Sequence, residues 1–211
     1  MHTITFISTT HEKNGKCNAD ELYYILKKES PEVVFMEALK NTYSKYDETM
    51  FSSFGVYHQQ LEIKAIQKYQ KDATCAYVPV LDNGLSDLFD NKYKQICEYR
   101  EFQVLFDEFN IIVKTNGFEF LNSQLCITLH QKMRILEDRL LNNSELNAAV
   151  NADIDAYENE MLQNIYSYCS SHQFNKAVFM CGSAHRQSII EKIRIFNSKN
   201  EMDINWVVYE G

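Results

Sequence analysis

The chain has 211 residues, 45% of them hydrophobic and 24% charged, and a formal net charge of -8. That length supports a full core and suggests one domain, and the composition is too apolar for a disordered chain. The acidic balance excludes a general attraction to phosphate backbones or anionic membranes, so neither nucleic acid nor membrane is expected as a partner.

The opening MHTITFISTTHEK has no basic leader, no small-residue cleavage site and no run of roughly 20 apolar residues, which predicts a cytoplasmic protein. Residues 3–7 (TITFI) are β-branched and apolar, as in a strand buried on both faces. Asn18 then precedes Glu21 by three positions, an Asx variant of the capping box, and Leu22, Ile25 and Leu26 supply a helical face that Pro31 ends. Residues 33–36 (VVFM) give a second buried strand, with Glu37 directly after it. A β, helix, β order of this length favours a parallel crossover.

Residues 56–70 carry Leu61, Ala65, Ile66 and Tyr69 at helical spacing, and residues 74–81 (TCAYVPVL) read as a third strand followed by Asp82. Pro79 tempers the end of that strand, because it cannot donate to a ladder. From residue 84 to 169 the rhythm turns helical. Leu121, Leu125, Leu129, Met133, Leu136 and Leu140 predict one long helix, Ile154 to Tyr168 predict another, and a further one is expected near residues 93–106. This stretch is expected to be a helical insertion or cap within one domain. The strand pattern resumes at residues 176–181 (KAVFMC), passes through Gly182 and Ser183 into a helix bearing Ile189, Ile190, Ile193 and Phe196, and closes at residues 203–209. The expected fold is α/β, with a mainly parallel central sheet flanked by helices.

Cysteines 17, 75, 97, 126, 169 and 181 are scattered and form no CxxC pair, which predicts free, mostly buried thiols in a reducing compartment. No Gly-rich phosphate loop, GxSxG elbow, HExxH or EF-hand loop is present.

In a parallel sheet the strand ends that feed the crossovers collect on one edge, where ligands bind. The residues just beyond those ends are STTH (8–11), Glu37, Asp82 and GSAH (182–185). His185 in the first turn of a helix is expected to be neutral, because the positive dipole end disfavours imidazolium. With His11 and Glu37 it would form a two-histidine, one-carboxylate set suited to a divalent transition ion such as Mn, Co or Zn, whose bound water becomes a nucleophile near neutral pH. Asp82 and Arg186 are candidate ligand-binding supports, Arg186 for an anion. A plainer reading stays open: the histidines as loop or capping residues, Glu37 as the cap of a helix starting near Ala38, and Arg186 as an exposed arginine. His2, His58, His130 and His172 lie in terminal, helical or loop contexts and are expected to be surface or packing residues.

At these same positions the sequence resembles the TraB/Tiki (GumN-like) family, part of a wider set with erythromycin esterases and ChaN-like haem-binding proteins. STTH stands for the family's early GTxH-like segment, PEVVFMEAL for its PDVVFVE strand, and CGSAH for its late GxxH turn. The likeness covers about the first 80 and the last 40 residues. It implies an α/β sheet with a helical middle and a metal-dependent hydrolytic activity on a peptide or ester, using His11, Glu37 and His185. Two family arginines are replaced: AYENEML (156–162) carries none, and the Asp-Arg pair after the third strand reads Asp82-Asn83. The departures leave a second reading, a non-catalytic module that binds a small molecule or peptide on the same scaffold.

Overall fold

The computed structural model describes residues 2–40, 61–199, 202 and 204–211. Five parallel strands form one sheet: β1 (His2–Thr9), β2 (Val33–Leu39), β3 (Ala76–Leu81), β4 (Lys176–Gly182) and β5 (Ile204–Val208), in the spatial order β3-β2-β4-β1-β5. The helices are α1 (Ala19–Glu29), α2 (Leu61–Tyr69), α3 (Asp87–Ile96), α4 (Arg100–Asn116), α5 (Phe118–Leu121), α6 (Gln124–Leu141), α7 (Ser144–Ser171) and α8 (Arg186–Lys199), the last entered through a 3-10 turn, Ser183–His185. The α/β expectation holds, with a sheet parallel throughout the described residues.

The two-residue period of a strand divides the core. Val34, Met36, Val178, Met180 and Ile7 face one side, packed against Leu22 and Leu26 of α1 and apolar residues of α2, α4, α5 and α6. Val33, Phe35, Phe179, Ile4 and Phe6 face the other, against Met161, Leu162 and Ile165 of α7 and Ile189 and Ile193 of α8. Both faces of the central strands are therefore covered, which is why their sequences read as unbroken apolar runs. Pro79 is accommodated because β3 is an edge strand.

Three expectations are corrected. Val33–Leu39 is strand throughout, so Glu37 lies within β2 and caps no helix at Ala38. The leucine stripe is not one helix: α5 stops at Leu121 and α6 starts at Gln124, with Ser123 as its N-cap accepting from the Cys126 N–H. The helix near residues 93–106 is two, broken at Cys97 to Tyr99. The predicted helix over 56–70 begins in the described residues at Leu61, and its first positions lie outside them, as does His58. All six cysteines are described, none is in a disulfide, and five are buried.

The topology sets the site. β4 lies between β1 and β2, with Thr9 level with Gly182 and Met36 level with Met180. From β1 the chain moves across β4 to β2, whereas from β4 it moves across β1 to β5. Neighbouring strands whose connections leave in opposite directions open a crevice at their carboxyl ends, the usual ligand position in such sheets.

Candidate active site

Three strand ends deliver the groups. β1 ends at Thr9, placing His11 two residues on, β2 carries Glu37 at its carboxyl end, and β4 runs through Gly182 into the turn that holds His185. The Glu37 carboxylate bridges neighbouring elements: Oε2 accepts from the Gly182 N–H at 2.6 Å and Oε1 accepts from the Tyr157 hydroxyl of α7 at 2.9 Å. A Cβ at Gly182 would lie 3.3 Å from Glu37 Oε2, tighter than ordinary contact, so glycine keeps this approach open.

His185 Nε2 lies 3.6 Å from Glu37 Oε1, an ion-pair distance longer than a hydrogen bond. Its other nitrogen, Nδ1, bonds Glu158 Oε1 of α7 at 2.7 Å. Glu158 is 1% exposed, and its second oxygen receives the Ser188 hydroxyl and lies 3.8 Å from Lys192 Nζ, both on α8. A parallel arrangement holds His11. Its Nδ1 bonds Glu62 Oε1 of α2 at 3.1 Å, Glu62 is 4% exposed, and Thr9 Oγ1 donates to the same oxygen at 2.9 Å. Each imidazole thus has Nδ1 committed to a buried glutamate.

The electrostatics follow from those partners. Burial opposes the charged form of Glu37, but His185, the Gly182 N–H, His11 and Tyr157 outweigh it and hold its pKa below the ordinary value. Burial likewise opposes a charged His185, yet the Glu158 bond and the Glu37 charge prevail and raise its pKa. The direction is opposite to the one expected from the helix dipole: two carboxylates outweigh a helix terminus. For His11 the Glu62 bond is the largest cause and pushes the pKa from 6.5 up to about 9. The centre therefore sets a carboxylate beside two imidazoles whose charged forms the surrounding carboxylates favour.

Of the other candidates, Asp82 stays at the outer edge beyond β3, half exposed, paired with Lys40 at 2.9 Å and receiving Asn164 Nδ2 at 3.2 Å. Its backbone N–H donates to Glu160, and no contact joins it to the histidines among the described residues. Arg186 is 3% exposed, which corrects the exposed-arginine expectation. Its guanidinium donates to Ser8 Oγ at 3.1 Å, Asn122 Oδ1 at 2.9 Å, and the Asn122 and Tyr209 carbonyls at 2.8 Å each. Four of its donor contacts are thus spent tying β1, the α5–α6 junction and the chain's last residues together. His130, expected to be a surface or packing residue, is largely buried, and burial pushes its pKa down to about 4 while Nε2 faces Ser183 Oγ at 3.1 Å.

Sequence reading missed Glu62, Glu158 and Tyr157. Each lies on a helix remote in sequence from its partner, by 51, 27 and 120 residues respectively, and a glutamate in a helix carries no local mark separating it from solvated charge. For Tyr157 and Glu158 one signal existed, since they occupy AYENEML, where the family resemblance would have placed an arginine.

Among the described residues, no group of three or more His, Cys, Asp and Glu side chains is arranged to hold a metal ion. The donor chemistry itself suits one: histidine ligands commonly give their second nitrogen to a carboxylate, and both rings here do so. No helix among the described residues is long and apolar enough to cross a membrane. No protein-family model matches the chain, and neither a curated protein nor a solved structure matches it.

Proposed function

We propose that this protein is a hydrolase-like enzyme that attacks a carbonyl of a small ester or peptide, with Glu37 and His185 as its base and acid. The observation that carries the reading is the buried carboxylate of Glu37 with His185 Nε2 at 3.6 Å, set where the carboxyl ends of β2 and β4 meet. A carboxylate and an imidazolium whose environments drive their pKa values apart form an acid/base pair. Glu37 takes a proton from the attacking water, and the Nε2 proton of His185 serves the carbonyl oxygen or leaving group. His11, held by Glu62, adds a second positive charge toward the developing oxyanion where the family resemblance would have arginines.

One observation favours a metal-assisted version. A carboxylate with a lowered pKa is a weak base toward free water, and both imidazoles have the Nδ1–carboxylate pairing usual for ligands. His11, Glu37 and His185 are the residues that would hold a divalent transition ion, which when bound lowers the pKa of its water toward neutrality. Binding it requires loss of the imidazolium protons, so affinity rises with pH.

The test is hydrolysis of a panel of chromogenic esters and peptide anilides, with and without added Mn, Co or Zn, by wild type, Glu37→Gln, His11→Ala and His185→Ala. Glu37→Gln and His185→Ala are expected to lose roughly 100- to 10,000-fold in kcat with the far-UV spectrum retained. Variants that turn over as fast as wild type would overturn the assignment, and ligand binding without turnover in wild type would support the non-catalytic reading instead. Elemental analysis separates the two versions: a stoichiometric ion lost in His11→Ala and His185→Ala supports the metal, and equally weak binding in all of them removes it.

A further inference from the structure

We propose that the outer face of the α4–α6 hairpin docks a second copy of this chain, the two hairpins closing into an antiparallel four-helix bundle. Val104 is 52% exposed, Ile111 65% and Ile135 70%, although each is a large aliphatic residue in the interior of a helix of 17 or 18 residues. The core is met by other residues, Phe102, Phe109 and Val113 of α4 and Cys126, Leu129 and Met133 of α6. Val104 and Ile111 are seven apart, the interval that keeps residues on one face of a helix. One exposed aliphatic residue is ordinary, whereas three on adjoining helices make a patch.

The charges beside that patch say what covers it. Glu101 of α4 pairs with Arg139 of α6 at 3.9 Å, and the rings of Phe109 and His130 are 4.8 Å apart, so the two helices run antiparallel with these residues level. Glu108 stands seven residues after Glu101 and Lys132 seven before Arg139, which makes them level as well. Both are exposed, and among the described residues neither has an ion pair. The outer stripe of α4 is thus acidic and that of α6 basic. A partner that fits both must lay bases along α4 and acids along α6 at matching heights, and this same hairpin does so when turned about a twofold axis running along the groove between its helices. The rotation keeps every residue's height and sets α4 of one copy antiparallel on α6 of the other. Glu108 then meets Lys132 of the other copy at two equivalent places, and the aliphatic residues cover one another.

The size of the face sets the strength. At 1.5 Å per residue the hairpin is about 25 Å long, and two helices abreast are about 20 Å wide, roughly 500 Å² from each copy. That is near the lower bound for specific association, so a dimer with a Kd of roughly 1–100 μM is expected. None of these residues touches His11, Glu37 or His185, and the pairing does not depend on the hydrolytic reading.

The experiment is analytical ultracentrifugation of the full-length protein from about 1 to 300 μM, a range that brackets the expected Kd. Glu108→Lys and Lys132→Glu each set like charges opposite one another at both equivalent contacts, and each is expected to weaken dimerisation roughly 10- to 100-fold. An equimolar mixture of the two variants is expected to regain wild-type association, because each supplies the charge the other lacks. Ile135→Asp is expected to be monomeric. A wild type that stays monomeric at the highest concentration overturns the proposal. So does a dimer that neither charge reversal weakens, which would place the contact elsewhere, or a mixture that associates no better than its components. If either charge variant fails to fold by circular dichroism, Ile135→Asp decides, and a dimer that survives it overturns the proposal.

Discussion

The histidines and Glu37 also set how stability responds to pH. A folded-state pKa raised above the unfolded value contributes stability that is complete below the unfolded pKa and fades as pH rises through the folded one. His11, raised from 6.5 to about 9, and His185, also raised, therefore lose their contributions on the alkaline side. Glu37, lowered from 4.5, has the opposite sign: its contribution is present above that value and fades as pH falls. For these three groups together, stability is greatest between pH 4.5 and 6.5. The His11 side chain is 51% exposed, so solvent screens its pair with Glu62 and its share is modest. Thermal melts from about pH 4 to 10 should show Tm falling above pH 6.5, less steeply in His11→Ala. A wild-type Tm that climbs through that range would contradict the pairing. At this scale His11, Glu37 and His185 were legible because strand ends mark them. Their glutamate partners were not, because a buried acid in a helix is recognised only by what folds over it.

Between elements, the informative position is Asn122, in the break that the leucine spacing conceals. Leu121 and Leu125 are four apart and mimic a continuous stripe, although Ser123, a common N-cap residue, was visible between them. The buried amide of Asn122 accepts from the Ser8 N–H at 2.8 Å, donates to the Ser8 carbonyl at 3.1 Å and to the Phe118 carbonyl at 2.9 Å, and accepts from Arg186. It satisfies the backbone at the end of β1, three residues before His11. Asn122→Ala is expected to cost about 3 kcal/mol, since it strands buried polar groups. Ser123→Ala, which removes only the cap to Cys126, should cost about 1 kcal/mol. Urea melts of the two variants check the order, and equal losses would mean that Asn122 merely ends a helix.

For the molecule as a whole, β4 is the central member. Phe179 is fully buried within it, stacked on Phe6 of β1 at 5.4 Å between ring centroids and edge-on to Trp206 of β5 at 6.3 Å. Phe179→Ala is expected to destabilise the fold by about 3–5 kcal/mol, read as a drop in urea midpoint with an unchanged slope. A loss below about 1 kcal/mol would mean that the layer beneath α7 repacks freely. The helical middle was readable from periodicity and the parallel sheet from the alternation of strands and helices. The strand order was not, because nothing local in KAVFMC says that a segment 140 residues after VVFM will slot beside it.

That late slot has a consequence for biosynthesis. While the chain emerges from the ribosome, the first two strands are made long before the one that separates them, so their facing edges stay without hydrogen-bond partners until residue 182 has cleared the exit. Exposed edges of this kind invite wrong pairings with other nascent chains. Premature termination anywhere before Lys176 would thus yield a product that carries Glu37 but lacks His185, with two sticky borders in place of a crevice. Assembly of the candidate site and closure of these two facing edges are one event.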